Sequence, residues 1–348
     1  MAHLNIASVL SFSRFPFIGW KDKIKMSAWA AGLTLQRARL DLADPVTLAP
    51  RDHRSVGDMA RQVLSPDIYD FLVRPGIEPF WYFSCEEVSA ALVEALTAHA
   101  AGARFFYFSG GIDQISQALA KNAHVMLNTP VLALEITDDG VEVTTQKNGV
   151  QTSRQFARAV IATPASTALK LAKELPDCAF SPSQRQYLST QRYAANIHIA
   201  YRVPEITQLS LAGSIFPCGP GRHPLAAFSF HRIKSSRPRV DGDELVSVYL
   251  SDPESQRLMD ADDQVVIERG WALAKEVYPS LPSDAECFYL IRRREAIPIH
   301  EVGRYRAAAD FQAEQRAQRS RVTFCGDYLT TATVEGAVAS GFAVADDS

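Results

Sequence analysis

Apolar positions at helical spacing open the legible part of the chain. Val56, Met59, Ala60, Val63 and Leu64 fall on one face of a 3.6-residue repeat. Ser55 stands where an N-cap belongs, and Ser65-Pro66 ends this helix and starts another. Phe80-Trp81-Tyr82-Phe83 then reads as a loop, and Glu86 to Ala90 leads into a further amphipathic helix. The pattern next changes. Phe105 to Phe108 runs into Ser109-Gly110-Gly111, after which Ile112, Ile115, Leu119 and Ala120 mark a helix face. Short strands are predicted at His124 to Leu127 and Val131 to Ile136, with turns at Asp138-Asp139-Gly140 and Lys147-Asn148-Gly149 around Val141 to Thr145. Arg158 to Ala162 reads as a buried strand stopped by Thr163-Pro164.

Alternation dominates the third stretch. Asn196–Tyr201, Ala226–His231, Glu244–Leu250 and Glu286–Ile291 predict one mostly antiparallel sheet, with a helix from Asp262 to Tyr278 across its back. Near the C-terminus, Val322 to Cys325 reads as a strand ending in Gly326-Asp327, and a small-residue helix begins near Val334.

Composition narrows the class without changing this picture. A chain of 348 residues, 47% hydrophobic and 22% charged, is large enough for two interleaved domains with cores of their own. Its formal charge of -3 and scattered basic residues give no footprint for nucleic acid. Cys85, Cys178, Cys218, Cys287 and Cys325 form no C-x-x-C pair, so neither a metal site nor a disulfide framework is expected, and a reducing, cytoplasmic compartment is. His198, His223 and His231 lack ligand-like spacing. No run reaches the length of a spanning helix. Phe12, Phe15, Phe17, Ile18 and Trp20 beside Lys21, Lys23 and Lys25 admit two readings: a helix covering the core, or weak association with a membrane surface at the inner face.

The C-terminal run carries the chemistry. Gly326 lets backbone approach a ligand closely, and Asp327 offers a carboxylate to hydroxyl groups. The turn Val334-Glu335-Gly336-Ala337 would present free N–H groups and a positive dipole end. An isolated Gly-Asp would mean only a strand, a turn and a tightly packed helix. The whole spaced run, through Ser340 and Gly341, resembles the C-terminal FAD fingerprint of the flavin amine oxidase superfamily, which includes monoamine oxidases, protoporphyrinogen oxidases and carotenoid desaturases. More weakly, Ser55-Val-Gly-Asp58, Arg74-Pro75 and Ser89-Ala90 are similar to short matches in bacterial protoporphyrinogen oxidases and related oxidoreductases.

The resemblance implies an α/β fold with α+β character, in which an incomplete Rossmann-like FAD-binding domain is interleaved with a substrate domain of antiparallel sheet plus helices. The segments it implies are 1–103 (substrate, helical), 104–165 (FAD-binding, middle), 166–295 (substrate, sheet) and 296–348 (FAD-binding, C-terminal). It also implies that Val131 meets the adenine through its backbone, that Ala162 and Thr163 lie beside the dinucleotide, and that Gly326, Asp327, Val334, Glu335, Gly336 and Ala337 hold FAD. Cys325 is expected to be a core residue.

Two departures from the family pattern stand out. The superfamily opens with a strand, a G-x-G-x-x-G turn and a helix, yet the first 100 residues hold only Gly19, Gly32, Gly57 and Gly76, none so spaced. The first βαβ unit is therefore expected to lie outside this chain, which should retain FAD weakly by itself. Many relatives place a tryptophan shortly before A-x-P. Here Arg292-Arg293-Arg294 occupies that stretch, leaving two readings: a cation for an anionic substrate, or an exposed basic strand. The expected activity is FAD-dependent oxidation of a small-molecule substrate, protoporphyrinogen oxidase-like, with oxygen or a quinone as acceptor. Amine oxidation, carotenoid or squalene desaturation, and a flavin-free binding role are the alternatives. No acid–base pair or metal cluster is needed for the cofactor's step, and none is singled out.

Overall fold

The computed structural model describes residues 12–101, 103, 111, 113–204, 213–234 and 243–346. The helices α1 (Trp20–Leu35), α2 (Val56–Val63), α3 (Arg74–Trp81), α4 (Ala90–Ala100) and α5 (Gln114–Ala120) come first. Strands β1 (Val131–Ile136), β2 (Val141–Lys147), β3 (Val150–Phe156) and β4 (Ala159–Ile161) lead to α6 (Ala165–Leu171) and α7 (Pro182–Ser189). Then follow β5 (Tyr193–Val203), β6 (Ser214–Ile215), β7 (Leu225–Phe230), β8 (Glu244–Leu250), α8 (Asp252–Leu258), α9 (Asp263–Val277) and β9 (Glu286–Pro298). The chain closes with α10 (Arg304–Gln318), β10 (Val322–Phe324) and α11 (Val334–Asp346).

Three apolar cores organise these elements. Leu33, Val56, Met59, Phe83, Val88 and Leu92 form the helical core, which Ile18 also enters, whereas Trp20 and Ile24 stay exposed. Ser55 caps α2 by accepting from the Asp58 amide at 3.0 Å, as the sequence predicts. Among the described residues no helix is long and apolar enough to cross a membrane.

The second core lies behind a five-stranded antiparallel sheet of order β6-β7-β8-β5-β9. Strand alternation sends Ile197, Ile199, Tyr201, Phe228, Phe230, Val246 and Val248 to one face, where Val266, Trp271 and Leu273 of α9 cover them. Each fully buried aromatic or aliphatic side chain there contributes about 1.5–3 kcal/mol. The register His198↔Tyr249 and His198↔Ile291 puts those residues, with Ser247 and Tyr289, on the opposite face.

The third core is built on the parallel pair β4 and β10, with Val322 against Ala159 and Phe324 against Ile161. Phe180, Tyr187, Phe311 and Phe324 pack around it, from α10 and from the segment spanning α6 and α7. The start of α10 is secured from far away in sequence. The buried Asp52 carboxylate accepts from the amides of Gly303 at 2.8 Å, Tyr305 at 2.8 Å and Arg306 at 3.1 Å.

Several sequence expectations change. His124–Leu127 is not a strand: no strand among the described residues runs beside it, and Val125 and Leu127 are exposed. The α5 face is not buried, since Leu119 is 60% exposed, and Ile112 lies outside the described residues. The strand near 158–162 shortens to β4, and alternation sends Ile161 into the third core while Val160 points to the opposite, unpacked face. Phe80 and Trp81 end α3 instead of forming a loop, and Tyr82 takes a left-handed cap (φ 65°). The run Phe105–Phe108 with Ser109-Gly110 lies outside the described residues.

Candidate functional site

Two parallel strands that end side by side leave their following loops adjacent, the usual place for a ligand in an α/β fold. Here the amide of Cys325 donates to the Ile161 carbonyl at 3.1 Å. Ala162 and Thr163 therefore lie next to Gly326 and Asp327. The Gly326 amide donates to Ser340 Oγ at 3.0 Å, which ties the end of β10 to the body of α11. A side chain at Gly326 would place its Cβ 2.5 Å from the Tyr328 ring.

The first turn of α11 is shaped by one close approach. A Cβ at Gly336 would lie 2.2 Å from the Thr331 carbonyl oxygen, so only glycine lets the helix start this near the preceding turn. Thr333 caps the helix: its Oγ1 accepts from the Gly336 amide at 2.9 Å and its carbonyl from the Ala337 amide at 3.0 Å. Two of the expected donors, Gly336 and Ala337, are thus used within the helix. The N–H groups of Val334 and Glu335 have no partner among the described residues.

Asp327 opens a 3-10 turn (Asp327–Leu329), and no cation pairs with it among the described residues. Burial raises its carboxyl pKa from 3.8 to about 6, against backbone hydrogen bonds that lower it. The hydroxyls of Tyr328 and Thr330 are buried close by without a hydrogen-bond partner among the described residues. Tyr193 accepts from the Ala165 amide at 2.8 Å through its hydroxyl, and its environment includes Asp327. The Cys325 thiol is buried and its pKa raised by that burial, in keeping with a core role.

Val131 is placed apart. It opens the three-stranded sheet β1-β2-β3, pairs with Thr145 and is 38% exposed. No hydrogen bond among the described residues joins it to the other predicted positions.

Trp81 is a residue that sequence reasoning missed. Its indole Nε1 donates to the Ala332 carbonyl at 2.8 Å, joining α3 to the turn before α11. The aromatic run 80–83 was a signal, but its partner lies 251 residues away. The neighbouring Tyr82 packs with Trp81 against the helical core, near enough to Tyr249 and Arg293 of the antiparallel sheet for their charges to act on it.

On the sheet face opposite α9, Ser247 Oγ bonds His198 Nε2 at 2.9 Å and His231 Nε2 at 2.7 Å. His198 stacks on Tyr249 with ring centroids 4.3 Å apart and meets Tyr289 edge-on at 5.1 Å. His223 accepts from the Leu225 amide. Among the described residues no group of histidine, cysteine or acidic side chains is arranged to hold a metal ion.

Comparison with known proteins agrees with this fold. The chain resembles in fold a provisionally assigned protoporphyrinogen oxidase from Exiguobacterium sp. 255-15, at 14% identity and TM-score 0.65, covering 95% of this chain and 73% of that one. Cyclohexylamine oxidase from Brevibacterium oxydans IH-35A gives 17% identity and TM-score 0.65, with 96% and 75% covered. An oxidoreductase from Methanosarcina mazei gives 14% and 0.65, with 94% and 73% covered. No protein of curated function matches. The profile of the flavin containing amine oxidoreductases matches residues 11–347, and the chain belongs to that flavin-containing family.

Proposed function

We propose that this chain is an FAD-dependent oxidoreductase acting on a C–H bond of a hydrophobic or amine-containing small molecule, in the manner of protoporphyrinogen oxidases. The observation that carries the reading is Asp327: a desolvated carboxylate without a cation, at the joint end of two parallel strands and beside the start of α11. These residues fit a flavin. Asp327 suits a hydroxylated chain, and the N–H groups of Val334 and Glu335, with the positive end of α11, suit an electron-rich carbonyl edge or a phosphate. Ala162 and Thr163 would lie along the same ligand, and Val131 would reach its far end through the outer sheet.

A flavin held by these residues would supply the two-electron oxidation of the substrate C–H bond. The protein's part is positional. The turn at Gly336 fixes the helix end, Trp81 braces the Ala332 carbonyl, and the exposed part of the sheet face opposite α9, at Tyr289 and Arg293, would receive the substrate. Residues 104–165 and 296–348 form the cofactor half in this reading, and 1–103 and 166–295 the substrate half. No glycine turn of the G-x-G-x-x-G kind occurs in the 348 residues, so FAD affinity is expected to be weak.

The test is anaerobic spectroscopy of the protein saturated with FAD. Substrate-dependent bleaching of the visible flavin bands supports the reading. A folded protein that shows no saturable FAD binding at millimolar cofactor sinks it.

A further inference from the structure

The three consecutive arginines of β9 do not share one fate. Arg292 and Arg294 are paired with acids: Arg292 with Asp263 at 2.5 Å, and Arg294 with Asp260. Arg292 also donates to the Ala261 carbonyl at 2.8 Å. Arg293 lies between them and, by strand alternation, points to the other face of the sheet, where it pairs in register with Asn196. It is exposed and has no ion-pair partner among the described residues.

Aromatic side chains lie along the sheet face that carries Arg293. Tyr289 and Ile291 precede it on the same face of β9, and His198 and Tyr249 continue that face across β5 and β8. Its charge is felt by Tyr82, Tyr249 and Tyr289. It also lies close to the cofactor side. Two residues further along β9, about 6–7 Å in strand rise, Glu295 accepts from Ser166 Oγ at 2.8 Å, and Ser166 belongs to the start of α6 just after Thr163. Glu295 is thereby engaged with α6.

We propose that Arg293 anchors the anionic end of the substrate, a carboxylate carried by a molecule whose apolar body lies along Tyr249, Tyr289 and His198. This rests on the flavin reading only for what happens to the substrate afterwards. A guanidinium offers paired donors that match a carboxylate's two oxygens, and one unpaired cation matches one negative charge. A simple amine would bring a second positive charge to this face, where Arg293 repels it. The substrate class is therefore an apolar carboxylic acid with an oxidisable C–H bond.

The test uses three probes of one shape, 3-phenylpropionate, 3-phenylpropanamide and 3-phenylpropylamine, titrated calorimetrically into the full chain with and without saturating FAD. The wild type is expected to bind the carboxylate about tenfold tighter than the amide, with the amine weakest. Arg293→Met should bring the carboxylate down to the level of the amide, and Arg293→Lys should keep part of the preference. FAD binding should not change in either variant. Equal binding of the three probes by the wild type, or an undiminished carboxylate preference in Arg293→Met, overturns the assignment. Loss of FAD binding by the wild type with the carboxylate preference intact would instead overturn the flavin reading alone.

Discussion

At the start of α10 the backbone donors are spoken for: the Asp52 carboxylate gathers the amides of Gly303, Tyr305 and Arg306, and the Arg304 amide donates to the Glu301 carbonyl. At the start of α11 a single threonine caps the helix from within, and Val334 and Glu335 keep their N–H groups uncommitted among the described residues. The acids differ in the same way. Asp52 is fully buried and satisfied by backbone donors of a distant helix, whereas Asp327 is desolvated and meets only the backbone N–H groups of its own turn, with no cation among the described residues. Two helix ends in one chain thus show what separates a structural capping site from a ligand site. In the first the protein completes its own hydrogen bonds, and in the second it leaves them for something else to complete.

Asp52→Ala should give the largest effect on folding. Removing the acceptor strands three amides at the buried end of α10, at a cost of about 3 kcal/mol in stability. Chemical denaturation checks this, and FAD affinity should be unchanged under conditions where the variant is folded. A variant as stable as the wild type would erase the contrast between the two helix ends.

Asp327→Asn should act in the opposite sense. Its pKa rises on folding, so the folded state holds the proton more firmly than the unfolded chain, for which 3.8 is the reference. The stability this group confers is full below pH 4 and is lost as pH climbs through about 6. At pH 7 the ionised carboxylate is a burden on the unliganded protein. The asparagine variant should be more stable by on the order of 1 to 3 kcal/mol, measured by the same denaturation, while binding FAD about tenfold more weakly. A variant that loses both stability and affinity would make Asp327 a structural residue.

Trp81→Phe should show the smallest change. It keeps an aromatic ring, though smaller than the indole, and removes one hydrogen bond to the Ala332 carbonyl, worth about 1 kcal/mol. A twofold to fivefold loss of FAD affinity in fluorescence titration, with little change in stability, is the expected result. An unchanged affinity would detach α3 from the site.

How much of this was legible in sequence depends on the range of the contact involved. The strand β10, Gly326, Asp327 and the start of α11 are consecutive, and their small-residue spacing shows directly in the letters. The four long strands of the antiparallel sheet were equally clear, because alternation is a local signal. Asp52 and Trp81 were not, since each owes its role to a partner about 250 residues away. His124–Leu127 misled because an apolar run looks like a strand whether or not another strand lies beside it. The arginine triplet reads as one basic patch in the letters, and only the pleat of β9 divides it into two structural pairs and one unpaired cation.

The central claim is that Asp327 is left without a cation so that the flavin's hydroxyls can meet it. Its most direct test is equilibrium dialysis of FAD against the wild type and Asp327→Asn from pH 5 to pH 8. The account predicts weak, saturable binding by the wild type that tightens as pH rises through about 6, where the carboxylate ionises, and a weaker, pH-flat profile in the variant. Identical profiles for the two proteins would contradict it.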